Sequence, residues 1–217
     1  MTVPSAADTP AAGGPAAGSS GEERHASGTP ADVLGAARAA LRVRQGQGAR
    51  YDADAAPAAD LALARLGTAY FARKLNELPD AALSQPSARP GWSRRRVIAD
   101  VALQGRAIAQ TLEIATARPT HEHAATGPEA LDLAETLPAQ ALRNLVAHAA
   151  VHLNVVWRDL TDAEWDEAVP GLEGAGTARR TAALRARAVW CGALDLGNGA
   201  RPGDLPPEFR DDAGMQH

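Results

Sequence analysis

The chain is poor in the residues that usually thicken a core or lock a fold. Of its 217 residues one is cysteine, two are phenylalanine, two tyrosine and four tryptophan. A single thiol, Cys191, excludes an internal disulfide and fits a reducing, cytoplasmic setting. Aromatics are only 4% of the chain, so the core must be built from Ala, Leu and Val. Such small side chains favour closely approached helices over a thick sandwich. No apolar run approaches the about 18 residues of a membrane span. The N-terminus has neither a basic n-region nor an apolar h-region, so no secretory signal is expected. Strand-like alternation is nearly missing. Charge of one sign is missing too: Lys+Arg number 22 against Asp+Glu 26, a net −4. Neither nucleic acid nor an anionic membrane is therefore expected as a partner. The one basic run, Arg94-Arg95-Arg96, reads as a solvated helix start.

What remains is helical. Residues 1–30 are Ala/Gly/Pro/Ser-rich and almost free of large apolar side chains, which predicts a disordered tail. Thr29 and Pro30 begin a short helix that Gly46 and Gly48 stop. A first long helix is expected from Ala58 to about Leu78, with Leu61, Leu63, Leu66, Ala69, Tyr70, Leu75 and Leu78 on one wide face. A loop with three prolines follows. Ser93 then caps a second helix to about Ala117, striped by Val97, Val101, Gly105, Ile108 and Leu112. The segment RPTHEHAATGPEALD reads as a long polar crossover. A third helix runs from about Pro138 to Arg158, with Leu142, Leu145, Val146, Ala149, Leu153 and Val156 as its main seam. PGLEGAGTARR is a loop or short irregular hairpin, and a fourth helix, Thr181 to Leu196, ends at Gly197. The fold class is all-α: a four-helix bundle with one long crossover, spanning residues 31–200, with a short tail over 201–217.

Three segments carry a family resemblance: GTAYFARKLNELPDAALSQPSARPGWSRRRVIADVA, LRNLVAHAAVHLNVVWRDLTDAEWDEAV and RARAVWCGALDLG, followed by DLPPEF. In that order and spacing the chain resembles the mycothiol-dependent maleylpyruvate isomerase family, within the DinB-like group of metal-binding four-helix bundles. The resemblance covers roughly residues 35 to 210. It implies a divalent metal, typically zinc, held between helices. It also implies mycothiol or another low-molecular-weight thiol that adds to a conjugated cis alkene, lets the bond rotate, and leaves as the trans isomer forms. The family's ligands are a His on the second helix and a Glu and a His at i, i+4 on the fourth.

All three of those positions depart from the family pattern. The pattern Gly-Trp-Ser/Thr-Arg-x-x-Val-x-Ala-His is met here by Gly91, Trp92, Ser93, Arg94, Val97 and Ala99, but Asp100 takes the His place. On the fourth helix Ala188 stands for the Glu and Gly192 for the second His. Only Asp100 can still ligate, so the zinc site is expected to be lost. The alternative is a relocated site. His148 and His152 form an i, i+4 pair, and Asp100 could be their third partner. The segment that holds the two histidines also resembles the ordinary family pattern, which weighs against replacement. His121 and His123 are expected to be solvated loop residues, and Cys191 a buried packing residue. Trp92, Trp157, Trp165 and Trp190 should pack around the bundle ends, with Trp190 also a candidate for the pocket mouth. The gap left at Ala188 and Gly192 should be filled by Trp190, Arg96, water or a small ligand. A small C-terminal α/β domain found in many family members is expected to be absent.

The pocket candidates are therefore Asp100, His148, His152 and Trp190. Two functional readings stay open. One is a thiol-dependent isomerase or transferase-like protein acting on a small thiol or small acid, with an eroded metal site. The other is a pseudoenzyme, a binding or interaction module that kept the bundle and lost the zinc chemistry.

Overall fold

A computed structural model describes residues 52–120, 125 and 127–213. The expected tail over 1–30, the short helix after Pro30, and His121 and His123 lie outside the described residues. Among the described residues there are six α-helices and no strand. They are α1 (Ala58–Asn76), α2 (Arg94–Ala115), α3 (Pro128–Glu135), α4 (Ala139–Asp159), α5 (Arg180–Asp195) and α6 (Pro207–Ala213). The four long ones match the four expected from periodicity. No helix among the described residues is long and apolar enough to cross a membrane.

Two short helices were not expected. The segment read wholly as polar crossover contains α3. Gly127 at φ +94° makes the turn, and Pro128 opens the helix where a missing N–H costs nothing. Helix α6 also has a proline, Pro207, at its first position. The loop between α4 and α5 holds an antiparallel bridge between Ala168 and Thr177, as an irregular hairpin would.

Helix α1 packs chiefly on α5 and α2 on α4; α2 also packs on α5 and on α3, while α1 and α4 touch little. Two apolar clusters fill the bundle. One centres on Phe71, Ile98, Leu142 and Val189, the other on Leu61, Ile108, Leu112 and Leu153. Each such fully buried side chain contributes about 1.5–3 kcal/mol of transfer free energy. The small residues do what the composition requires. A Cβ on Gly67 would lie 2.6 Å from Val189 Cγ2 and 2.7 Å from Trp190 Nε1, so glycine lets α1 and α5 approach. Trp157 Nε1 donates to Thr181 Oγ1 at 3.0 Å, tying α4 to α5 inside the core.

The basic run is structural, not a solvated patch. Ser93 caps α2 by accepting the Arg96 N–H at 3.0 Å, and its own hydroxyl donates to Glu135 at 2.6 Å. Arg94 donates to the carbonyls of Leu196 (2.8 Å) and Gly197 (3.0 Å), which closes the C-terminus of α5. Arg95 donates to the carbonyls of Glu135 (2.7 Å) and Leu137 at the end of α3. Arg96 pairs with Asp132 (2.7 Å) and Glu135 (3.0 Å). Three successive arginines thus anchor the start of α2 to the ends of two other helices. The same chemistry recurs where Arg143 donates to the carbonyls of Leu75, in the last turn of α1, and of Leu78 just after it.

Candidate functional site

The α2–α5 seam and the loop before α2 enclose a cavity of about 580 Å³. Asp100, Ala188 and Gly192 all line it, together with Arg89, Arg187 and Cys191. Helix geometry explains the meeting. Ala188 and Gly192 are one turn apart on α5 and share the face toward α2. Asp100 sits two turns into α2, after the Ser93 cap fixes where that helix starts.

The electrostatics of the cavity are mixed. Arg89 Nη1 lies 3.7 Å from Asp100 Oδ2, and both side chains are about half exposed. The Arg89 guanidinium also stacks on Trp92, 3.6 Å from the ring centre. Burial pushes the Asp100 carboxyl above its ordinary value, while Arg89 and Arg96 pull it back. Cys191 is half-buried and faces the same cavity, which corrects its expected role as a buried packing residue.

The donor set does not fit a zinc ion. Ala188 offers a methyl group. At Gly192 a Cβ would lie 2.6 Å from Val101 Cγ2 and 3.4 Å from Phe71, closer than side chains pack. The space beside Gly192 is filled by Val101. Neither expected side chain fills it: Arg96 is held by Asp132 and Glu135, and Trp190 points elsewhere. One carboxylate remains where three ligands are required. Among the described residues no three His, Cys, Asp or Glu side chains form a group able to hold a metal ion.

The relocated arrangement does not assemble either. His148 and His152 line a separate cavity of about 440 Å³ on α4, with Arg106 and Leu145. His152 Nε2 is 2.7 Å from Glu113 Oε1, and Glu113 is almost fully buried. The reason for the separation is helical rise. Asp100 and Glu113 are about 20 Å apart along α2 and about 220° apart around it. So Asp100 faces α5 and Glu113 meets the histidine of α4. Trp190 is also corrected. It is two residues from Ala188, about 200° around the helix. Its Nε1 donates to the Leu63 carbonyl at 3.1 Å and its ring lies 5.1 Å from that of Tyr70. It is a core residue of the α1–α5 contact, not part of the pocket mouth.

Two charged residues escaped the sequence reading. Glu113 directly follows Leu112 of the α2 stripe. Arg185 lies in the α5 seam, one turn from Thr181 and from Val189, and is 1% exposed. A charge in or directly beside an apolar stripe is the signal that marks both.

A family model described as the mycothiol maleylpyruvate isomerase N-terminal domain matches residues 64–197, a range that contains every residue of the α2–α5 cavity. The chain is similar to the crystal structure of the mycothiol-dependent maleylpyruvate isomerase, with 34% identity and a TM-score of 0.62 over 69% of this chain and 64% of that one. A histidine-to-alanine mutant of that isomerase gives 35% identity and a TM-score of 0.61 over the same shares. The likeness thus spans less than two thirds of the solved isomerase. No curated protein matches.

Proposed function

The chain belongs to the mycothiol maleylpyruvate isomerase family, and from that premise we propose that it binds a small polar thiol or small acid between α2 and α5 without the family's zinc chemistry. The observation that carries this reading is the contact at Gly192. The position given to a ligating His has no room even for a methyl group, because Val101 occupies the space. The neighbouring donor position is an alanine. The cavity itself is retained, and its volume of about 580 Å³ falls in the range of small-molecule sites. Arg89 and Arg187 bring positive charge to its wall, and the half-exposed Asp100 carboxylate can accept from hydroxyl or amide groups.

Three measurements on the purified chain test the proposal together: zinc content after dialysis, calorimetric titration with mycothiol, and an isomerase assay on maleylpyruvate. The expected outcome is thiol binding, zinc far below one per chain, and no isomerisation. One zinc per chain with turnover would refute it. The loss can also be reversed by design. Asp100→His, Ala188→Glu and Gly192→His should bind zinc once Val101→Ala makes room. The same three changes without Val101→Ala should bind it poorly or destabilise the fold.

A further inference from the structure

A different cavity opens at the seam between α1 and α4, two long helices that pack only lightly on each other. It encloses about 600 Å³. Its walls are mostly apolar, with Ala69 and Ala72 from α1 and Ala150, Leu153 and Trp157 from α4. Arg185 reaches the same cavity from α5, through the middle of the bundle. The guanidinium lies at the join of the two apolar clusters. It rests against Gly105, where an added Cβ would meet it at 3.2 Å, and Gly105 falls between Ala102 of one cluster and Ile108 of the other.

This guanidinium is incompletely answered. Its Nη1 donates to the Val101 carbonyl at 2.5 Å and to Gln104 Oε1 at 2.9 Å. Its Nη2 is buried and has no partner. Among the described residues no carboxylate pairs with it, and burial alone brings its pKa down to about 10, which still leaves it charged at neutral pH. An unpaired buried cation is unfavourable, and evolution usually supplies a counter-charge. The other two arginines of this cavity are already paired, Arg158 with Asp159 Oδ1 at 3.1 Å. Arg65 is held by both oxygens of Asp52 (2.6 and 2.7 Å) and donates to Asn154 at 2.9 Å.

We propose that the α1–α4 cavity binds a small monocarboxylic acid with an apolar body. Its carboxylate would accept from Arg185 Nη2, and its body would lie on the alanines and Trp157. A guanidinium edge matches a carboxylate in geometry and charge. An inorganic phosphate fits less well, because one open donor and apolar walls cannot replace its hydration. The inference is independent of the thiol reading of the α2–α5 pocket.

The test is calorimetric titration of the full chain with hexanoate, hexan-1-ol and inorganic phosphate. Hexanoate should bind at least tenfold more tightly than hexan-1-ol, and phosphate should not bind. Thr68→Trp fills the cavity from its α1 wall while leaving Arg185 in place, and should weaken hexanoate at least tenfold. Arg185→Met should remove the preference for acid over alcohol. Should that variant fail to fold, the wild-type acid–alcohol comparison and Thr68→Trp decide. Equal affinity for acid and alcohol, phosphate binding as tight as hexanoate, or full hexanoate binding by folded Thr68→Trp would overturn the proposal.

Discussion

Gly192→Ala isolates the contact on which the functional reading rests. In an ordinary helix interior this change stabilises by about 1 kcal/mol, because glycine orders more backbone freedom. Here the new methyl group would stand 2.6 Å from Val101 Cγ2. Overpacking of that kind costs about 1–3 kcal/mol. The net expectation runs from about zero to about 2 kcal/mol of destabilisation, against the usual sign. Val101→Ala, at a site 3% exposed, removes two methyl groups and costs about 2 kcal/mol in transfer alone. In the double variant the methyl group introduced by Gly192→Ala takes over space that Val101 has vacated. The double should therefore lose less than the two singles together, with a coupling of about 1–3 kcal/mol. Urea unfolding of the four proteins measures this directly, provided the slope with denaturant stays constant. Additivity within about 0.5 kcal/mol would refute the argument. So would a gain of the full about 1 kcal/mol from Gly192→Ala alone, since an imidazole could then be accommodated without repacking.

The remaining predictions concern the groups that hold the bundle and charge its pockets. Arg94→Met removes two charge-assisted bonds to the Leu196 and Gly197 carbonyls and should lower stability by about 1–3 kcal/mol in thermal or urea unfolding; no change would mean that α5 closes without it. Thr181→Val leaves the buried Trp157 Nε1 without an acceptor and should cost about 1–3 kcal/mol, with Thr181→Ser recovering most of it. His152→Ala should destabilise by about 1–3 kcal/mol, because Glu113 Oε2 already lacks a partner and Oε1 would lose its own; unchanged stability would deny the pair a structural role. Asp100 gives a pH test. Its carboxyl is pushed up by burial, so the folded chain holds that proton more tightly than the unfolded one. The associated stability is complete below the ordinary Asp value of about 3.9 and is lost as pH rises through the higher folded value. Asp100→Asn should therefore gain on the wild type as pH rises from about 3 to about 6, read as the shift in urea midpoint at each pH. A flat difference would count against the burial of that carboxyl.

The long helices were legible because each repeats apolar residues at helical spacing over five or so turns. Helix α3 was not, since eight residues give only about two turns and its surroundings are polar. Its one clear mark, a glycine followed by a proline at the first helical position, lay in the text but was outweighed by composition. The meeting of Asp100, Ala188 and Gly192 in one cavity was legible for another reason: each is fixed by spacing within its helix, so placing the helices placed the three together. The histidine pair misled because spacing within α4 says nothing about which face of α2 it meets. Rotation along α2 decides that, and it delivers Glu113 where Asp100 was expected. The arginines were hardest to place, since their partners are backbone carbonyls with no side-chain signature in sequence.

That last point bears on function. A chain with so few aromatic residues closes several helix ends by arginine-to-carbonyl bonds, and many of its other described arginines are held by carboxylates. Arg185 differs from both groups, a buried arginine with no carboxylate beside it and no helix end to close. It is the most buried of the described arginines, it bonds one carbonyl and one amide, it lines an apolar cavity, and one of its nitrogens remains buried and unanswered. Replacing it by Met would be expected to relieve desolvation if its role were packing alone. If the cation serves a ligand, the same replacement costs the selectivity for an acid, whatever it does to stability. Stability and selectivity thus separate the two roles, and only the second requires a charge at that depth.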